Sequence, residues 1–183
     1  EPETPTVGET KEVYIDATSG GTWQYFSFKE NKIIGVGAEN DEQNAIWFAR
    51  NDWDIAIKRY AIRTNSGKAT SINSKGGVYI TDENVTFESI TAMPENITFL
   101  TDKAVTEQGM GGTTTTTIKS DATVIKFKLN DDGTMVMPPV YLKAPVYIFR
   151  SADGKANFKV YFTQYKDENN VSGHVKFNFA EIK

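Results

Sequence analysis

The stretch from Val146 to Phe179 leaves the chain little choice but paired strands. Val146 to Arg150 and Phe158 to Tyr165 are runs rich in apolar and aromatic residues, separated by Ala152-Asp153-Gly154-Lys155. Asp-Gly between two such runs signals a hairpin, because the tight turn needs residues that tolerate positive φ. Asp167 to Gly173 is a second turn. Val175, Phe177 and Phe179 then place three large apolar side chains on one face of a last strand, as a period of two requires. A sheet with one apolar face must bury it against a second layer.

The rest of the chain continues the pattern. Val13, Ile15 and Ala17 alternate with polar residues until Thr18-Ser19-Gly20-Gly21 breaks the run. Trp23 to Phe28 is a strand dense in aromatics, Lys29 to Lys32 a turn, and Ile33 to Val36 its return. Trp53 to Ile62 reads as one alternating strand, with Trp53, Ile55 and Ile57 on one face and Asp54, Ala56 and Lys58 on the other. Thr64-Asn65-Ser66-Gly67 ends it, and Val78 to Thr81 is short. Val124 to Leu129 leads into the turn Asn130-Asp131-Asp132-Gly133. Asp41 to Arg50 and Asn84 to Ala92 are ambiguous and could hold short helices. Aromatic residues make up 12% of the chain, which suits a pleated surface. The expected fold is all-β: a single domain of many antiparallel strands over residues 11–183, with long finger-like loops and few short helices. Residues 1–10 are rich in Pro, Thr and Glu and lack the apolar content to fold; they are expected to be a disordered tether.

Composition removes several functions. The net charge of −4 gives no footprint for nucleic acid. There is no apolar run of membrane-spanning length. Cysteine is absent, and with it go disulfides, thiol catalysis and cysteine-ligated zinc. The one histidine, His174, alternates with Val175, Phe177 and Phe179 and is expected on the outward face, which leaves no Ser-His-Asp arrangement. No phosphate-cradling glycine motif is present, and no catalytic residues are assigned.

The methionines carry more information. Met110 sits in Gly109-Met110-Gly111-Gly112, followed by the threonines 113–117. A thioether among glycines is poorly placed as core filler. It suits apolar contact to a flat partner or ligation of a soft metal centre, and residue types alone leave it between those uses and a plain flexible loop. Met135 and Met137 lie between the Gly133 turn and Pro138-Pro139. Two apart on an extended run, they share a side, and the double proline makes the run an edge or rim. They either pack on the core edge or present thioethers. Met93, near Ile90 and before Pro94, is expected in the core. Methionine serves as a haem axial ligand, so two thioethers from opposite walls could clamp an iron porphyrin.

The chain resembles the HmuY-like family, haem-binding surface lipoproteins of Bacteroidetes. The resemblance rests on Thr22-Trp23-Gln24-Tyr25-Phe26-Ser27-Phe28, on Asn51-Asp52-Trp53-Asp54-Ile55-Ala56-Ile57 with Arg63-Thr64-Asn65-Ser66-Gly67, and on the closing hairpin from Tyr147-Ile148-Phe149-Arg150 to Phe177. It implies a hand-shaped all-β fold that holds haem (iron protoporphyrin IX) between two finger-like loops by two axial ligands. It also implies haem scavenging from host haemoproteins, delivery to a TonB-dependent outer-membrane receptor, and no catalysis. The implied location is the outer membrane surface, with attachment through an N-terminal lipid outside this sequence, or release to the medium. The founding member resembles a bis-histidine haem ligator, which a chain with only His174 cannot be. Other relatives look to use methionines. On that pattern Met110 matches the first ligand position and Met137 the second, with Met135 as its substitute; the candidates for meeting the haem propionates are Lys103, Lys119 and Lys143. The ferrous state should then be favoured. The rival reading is a surface carbohydrate- or protein-binding β-module on the same scaffold, with Trp47 or an outward Trp23 as the stacking platform.

Overall fold

The computed structural model describes residue 4 and residues 6–71, 73–108 and 110–183, with Met110 described in its backbone. In chain order the strands are β1 (Lys11–Asp16), β2 (Thr22–Ser27), β3 (Lys32–Ala38), β4 (Ile55–Lys58), β5 (Ala61–Thr64), β6 (Gly77–Ile80), β7 (Lys103–Gln108), β8 (Thr114–Lys119), β9 (Ile125–Phe127), β10 (Tyr141–Lys143), β11 (Tyr147–Arg150), β12 (Asn157–Lys166) and β13 (Ser172–Ile182). Two short helices, α1 (Asp41–Phe48) and α2 (Gly67–Thr70), and a 3-10 turn at Met110–Gly112 complete the described elements. The fold is the all-β antiparallel arrangement expected from the sequence.

The strands form a five-stranded sheet, β1-β13-β12-β11-β6, a four-stranded sheet, β3-β2-β4-β5, and two separate ribbons, β7-β8 and β9-β10. The two larger sheets share one core. Val175, Phe177 and Phe179 meet Phe26, Phe28, Ile55 and Ile57 there, and the Phe26 and Phe177 rings pack edge to face at 5.5 Å between centroids. Side chains of the opposite parity on β2, Trp23 and Tyr25, enter a second cluster with Trp47, Trp53 and Ala56. Trp47, on α1, lies across β3. A Cβ added at Gly37 would sit 2.7 Å from its ring, and one at Gly35 would overlap it, so both positions require glycine. A third cluster lies on the far side of the five-stranded sheet, where Phe87 and Ile90 cover Ile148 and Ala180 with Met93 packed alongside, as expected for Met93.

Three expectations are corrected. Trp53 to Ile62 is not one strand. The chain turns at Arg59, which holds φ +54°, and β4 and β5 form a hairpin. The Arg59 guanidinium donates to the carbonyls of Thr18 (2.9 Å) and Ser172 (3.1 Å), which ties the turn to the other sheet. Trp53 and Asp54 precede β4, so strand parity does not reach them. Trp53 joins the second cluster rather than Ile55 and Ile57. Asp54 is buried and accepts from the backbone N–H groups of Phe28 and Ala152. Residues 84–92 form turns rather than a helix, and the Lys159 ammonium fixes them by donating to the carbonyls of Phe87 (2.7 Å) and Ile90 (3.0 Å). Part of the segment expected to be a disordered lead is also paired: Val7 bridges Ile182, and Thr6 and Lys183 exchange backbone hydrogen bonds.

Candidate functional site

The two ribbons carry the three methionines singled out from the sequence, and both rise from β5. The link between them, residues 120–124, runs along that strand. The Ser120 N–H donates to the Ile62 carbonyl (2.8 Å) and the Val124 N–H to the Tyr60 carbonyl (2.9 Å), with Thr123 bridged to Ala61. The roots of the ribbons are therefore neighbours.

The first ribbon runs in register from Lys103↔Lys119 to Gln108↔Thr114. Its tip is the turn Met110–Gly112, where Gly111 and Gly112 hold φ of +79° and +77°, conformations that glycine adopts without strain. The expected loop thus caps a hairpin, and the threonine run forms one of its strands. Most of its residues are exposed. The Met110 side chain, and Gly109, lie outside the described residues.

The second ribbon continues beyond β9 and β10. Leu129 bridges Met135, and the tip is closed by Asn130 N–H donating to the Thr134 carbonyl (2.7 Å). The Val136 N–H donates to the Lys128 carbonyl (3.1 Å), and the Lys128 N–H donates to the Val140 carbonyl (2.9 Å). The chain therefore leaves and returns to one residue, and Met137-Pro138-Pro139 is looped out between. Met137 is 73% exposed and Met135 40%. Neither is buried as core filler. Leu129, Val140 and Leu142 on the same ribbon are exposed as well.

The roots are built differently. The second ribbon stands on aromatic rings. Phe127 packs against Tyr60 (5.1 Å) and Tyr141 (5.3 Å), and Tyr165 on β12 closes the group. The first ribbon stands on a buried polar network. Asp102, the residue before β7, is 5% exposed. Its carboxylate accepts from the Thr64 N–H (3.0 Å), the Thr64 hydroxyl (2.7 Å) and the Thr70 hydroxyl (2.8 Å), and its own N–H donates to the Ser66 hydroxyl (3.1 Å). Burial pushes the Asp102 carboxyl up to about 6 against the pull of those donors and of Arg63. Arg63, fully buried, grips the other strand: Nε donates to the Ile118 carbonyl (2.7 Å). Its remaining nitrogens donate to Tyr25, Asn44 and Glu39, and its guanidinium lies 4.0 Å from the Trp23 ring centroid. Burial pushes the Glu39 carboxyl up, but Arg63 and Lys58 together hold it below the ordinary value.

These root residues were not assigned a functional part from the sequence. The run Thr64-Asn65-Ser66-Gly67 reads there as a turn that ends a strand, yet Thr64, Asn65 and Ser66, and Arg63 before them, are fully buried. A polar run directly after an apolar strand was the available signal.

Other candidates fall into place around this frame. Lys103 pairs with Asp121 (2.9 Å) and Lys119 with Glu107 (2.7 Å). Lys143 instead lies 5.7 Å from the Tyr161 ring and, with Lys126, lines a groove of about 500 Å³ at the base of the second ribbon, whose walls include Phe87, Leu142 and Tyr161. Met135 and Met137 are not among the residues that line it. His174 is on β13; its Nδ1 is 2.6 Å from the Tyr14 hydroxyl and its Nε2 3.5 Å from Asp167. Trp23 and Trp47 are buried, so neither offers an exposed ring for the carbohydrate reading. Among the described residues no group of three or more His, Cys, Asp or Glu side chains is placed to hold a metal ion, and no helix is long and apolar enough to cross a membrane.

Residues 19–179, which take in both ribbons and both sheets apart from β1 and the end of β13, match the family model of the HmuY protein. The chain belongs to the HmuY family. Solved structures share the HmuY-like fold. A candidate HmuY-like haem-binding protein of Bacteroides vulgatus aligns with a TM-score of 0.65 at 23% identity, over 93% of this chain and 90% of that one. A candidate lipoprotein of Bacteroides fragilis gives 0.66 at 20% identity, over 93% and 89%. The apo HmuY analogue of Tannerella forsythia gives 0.59 at 22% identity, over 97% and 98%. Among curated protein sequences none matches.

Proposed function

We propose that this HmuY-family chain binds haem between its two ribbons, with Met110 and Met137 as axial ligands and Met135 as the substitute for Met137. The observation that carries the reading is the looped-out Met137, a large apolar side chain left almost bare on a ribbon that rises beside the one bearing Met110. The donor set suits the group: thioethers are established haem ligands and are soft enough to favour reduced iron. Leu129, Val140 and Leu142 supply exposed apolar surface for a flat macrocycle. Lys143, with no carboxylate partner among the described residues, is the cation best placed for a propionate, and Lys126 shares its groove. Haem supplies the iron; the chain supplies neutral ligands, apolar cover and cationic ends.

The reading extends to role and place. The protein is a carrier and not an enzyme. It takes haem from host haemoproteins and passes it to a TonB-dependent receptor, working as a lipoprotein on the outer membrane surface or after release. Family membership and the haem-binding and lipoprotein descriptions of the solved relatives support this. The test is a haemin titration followed by absorbance, with and without dithionite. A sharp Soret band under reducing conditions is expected, and it should be weakened by Met110→Ala and by Met137→Ala. If both variants match the wild type, the ligand assignment is wrong.

A further inference from the structure

We propose that Asp102 is the positioning residue of the first ribbon: it pins the entry of β7 to the body of the protein and so sets where Met110 stands. The inference deepens the haem reading and rests on it for its functional consequence.

A two-stranded ribbon with both faces in water has little stability of its own. Almost every side chain of β7 and β8 is exposed or half-buried, so position must be imposed from the root. Two grips do this. Arg63 takes β8 through one carbonyl. Asp102 takes β7 through four hydrogen bonds from a single residue, to Thr64, Ser66 and Thr70. Thr64 ends β5 and Thr70 ends α2, so the carboxylate joins the ribbon to two separate elements. A lever pinned next to its first residue passes any displacement at the pin to its tip.

The carboxylate works here through shape and hydrogen bonding. An asparagine amide reproduces both: its oxygen accepts from Thr64, and its NH₂ donates to the Thr70 hydroxyl, which rotates to accept. Alanine leaves the Thr64 N–H and two buried hydroxyls without the partner, a loss costly for buried donors.

The experiment compares wild type, Asp102→Ala, Asp102→Asn and Thr70→Val by amide hydrogen exchange and by haemin titration under dithionite. Asp102→Ala should speed exchange in residues 103–119 about tenfold or more and leave β12 and β13 unchanged. Asp102→Asn should exchange no faster than wild type, and Thr70→Val should lie between wild type and Asp102→Ala. Asp102→Ala should also weaken haem binding, and combining it with Met110→Ala should add nothing to Met110→Ala alone, because both act through one ligand. Unchanged exchange in residues 103–119 overturns the proposal whatever haem does, as does faster exchange with wild-type haem binding. Faster exchange in a protein whose wild type gives no Soret change supports the anchor and removes the haem reading.

Discussion

Replacing Asp102 with asparagine should change how stability depends on pH, in a direction set by burial. The carboxyl is buried beneath the first ribbon, and its pKa rises from the ordinary 3.8 to about 6. Between those values the folded protein keeps a proton that the unfolded chain has already released. Stability must therefore fall as pH rises through that window and level off above about 6. A rise of that size corresponds to about 3 kcal/mol at most. The charged groups nearest are Arg63, which opposes the rise, and beyond it Glu39 with Lys58. Asp16, held low by hydrogen bonds from Thr18, and Asp153, held low by those from Ser151 and Lys155, act in the opposite sense, while burial raises Asp54 as it does Asp102. They are present in both proteins and cancel in the comparison. The assay is urea unfolding at a series of pH values from 4 to 7.5. With a slope of about 2 kcal/mol per M, the wild-type midpoint should drop by about 1 M relative to Asp102→Asn across the series, and the asparagine variant should be the more stable at pH 7.5. A difference between the two proteins that stays flat, or that grows in favour of the wild type as pH rises, would refute the claim that this buried carboxyl is held above its ordinary range.

The remaining predictions follow from packing and from the site. Met137→Ala should weaken reduced-haem binding more than Met135→Ala, and His174→Ala should leave the Soret band unchanged; an equal effect of Met135 and Met137 would show that the looped-out position is not what selects the ligand. Lys143→Glu should weaken haem binding, the more so at low salt where surface charge is least screened, as measured by titration at two ionic strengths. Gly37→Ala should destabilise the fold by about 1–3 kcal/mol in urea unfolding monitored by circular dichroism, because the new methyl meets the Trp47 ring. Arg63→Met should cost about 3 kcal/mol or more in the same assay, since the Ile118 carbonyl loses its guanidinium donor and Glu39 is left with Lys58.

The larger sheets were legible because their code is local. Val175, Phe177 and Phe179 declare a face by themselves, and Asp153-Gly154 declares a turn. The β4-β5 turn was not legible, since Arg59-Tyr60 contains none of the residues that usually mark a reversal. It is stabilised by carbonyls of Thr18 and Ser172, which are distant in sequence. The same reason hid the ribbon roots. Asp102 stands alone between Thr101 and Lys103, and its meaning comes from Thr64 and Thr70. Met137 was legible as a rim residue through Pro138-Pro139, but its exposure depends on Lys128 bonding both ends of the loop.

The pairing of Thr6 with Lys183 bears on how such a protein would stand on a surface. It fixes the start of the described chain at one end of β13. Arg59, beside Tyr60 and the root of the second ribbon, is bonded to Ser172 at the other end. Eleven residues of strand at about 3.3 Å each separate the two. A molecule moored through its leading segment would therefore hold the Tyr60 root some 30–35 Å along the strand from its mooring, at about the length of β13. For such a mooring the strand would act as a mast, its length set by the body of the fold.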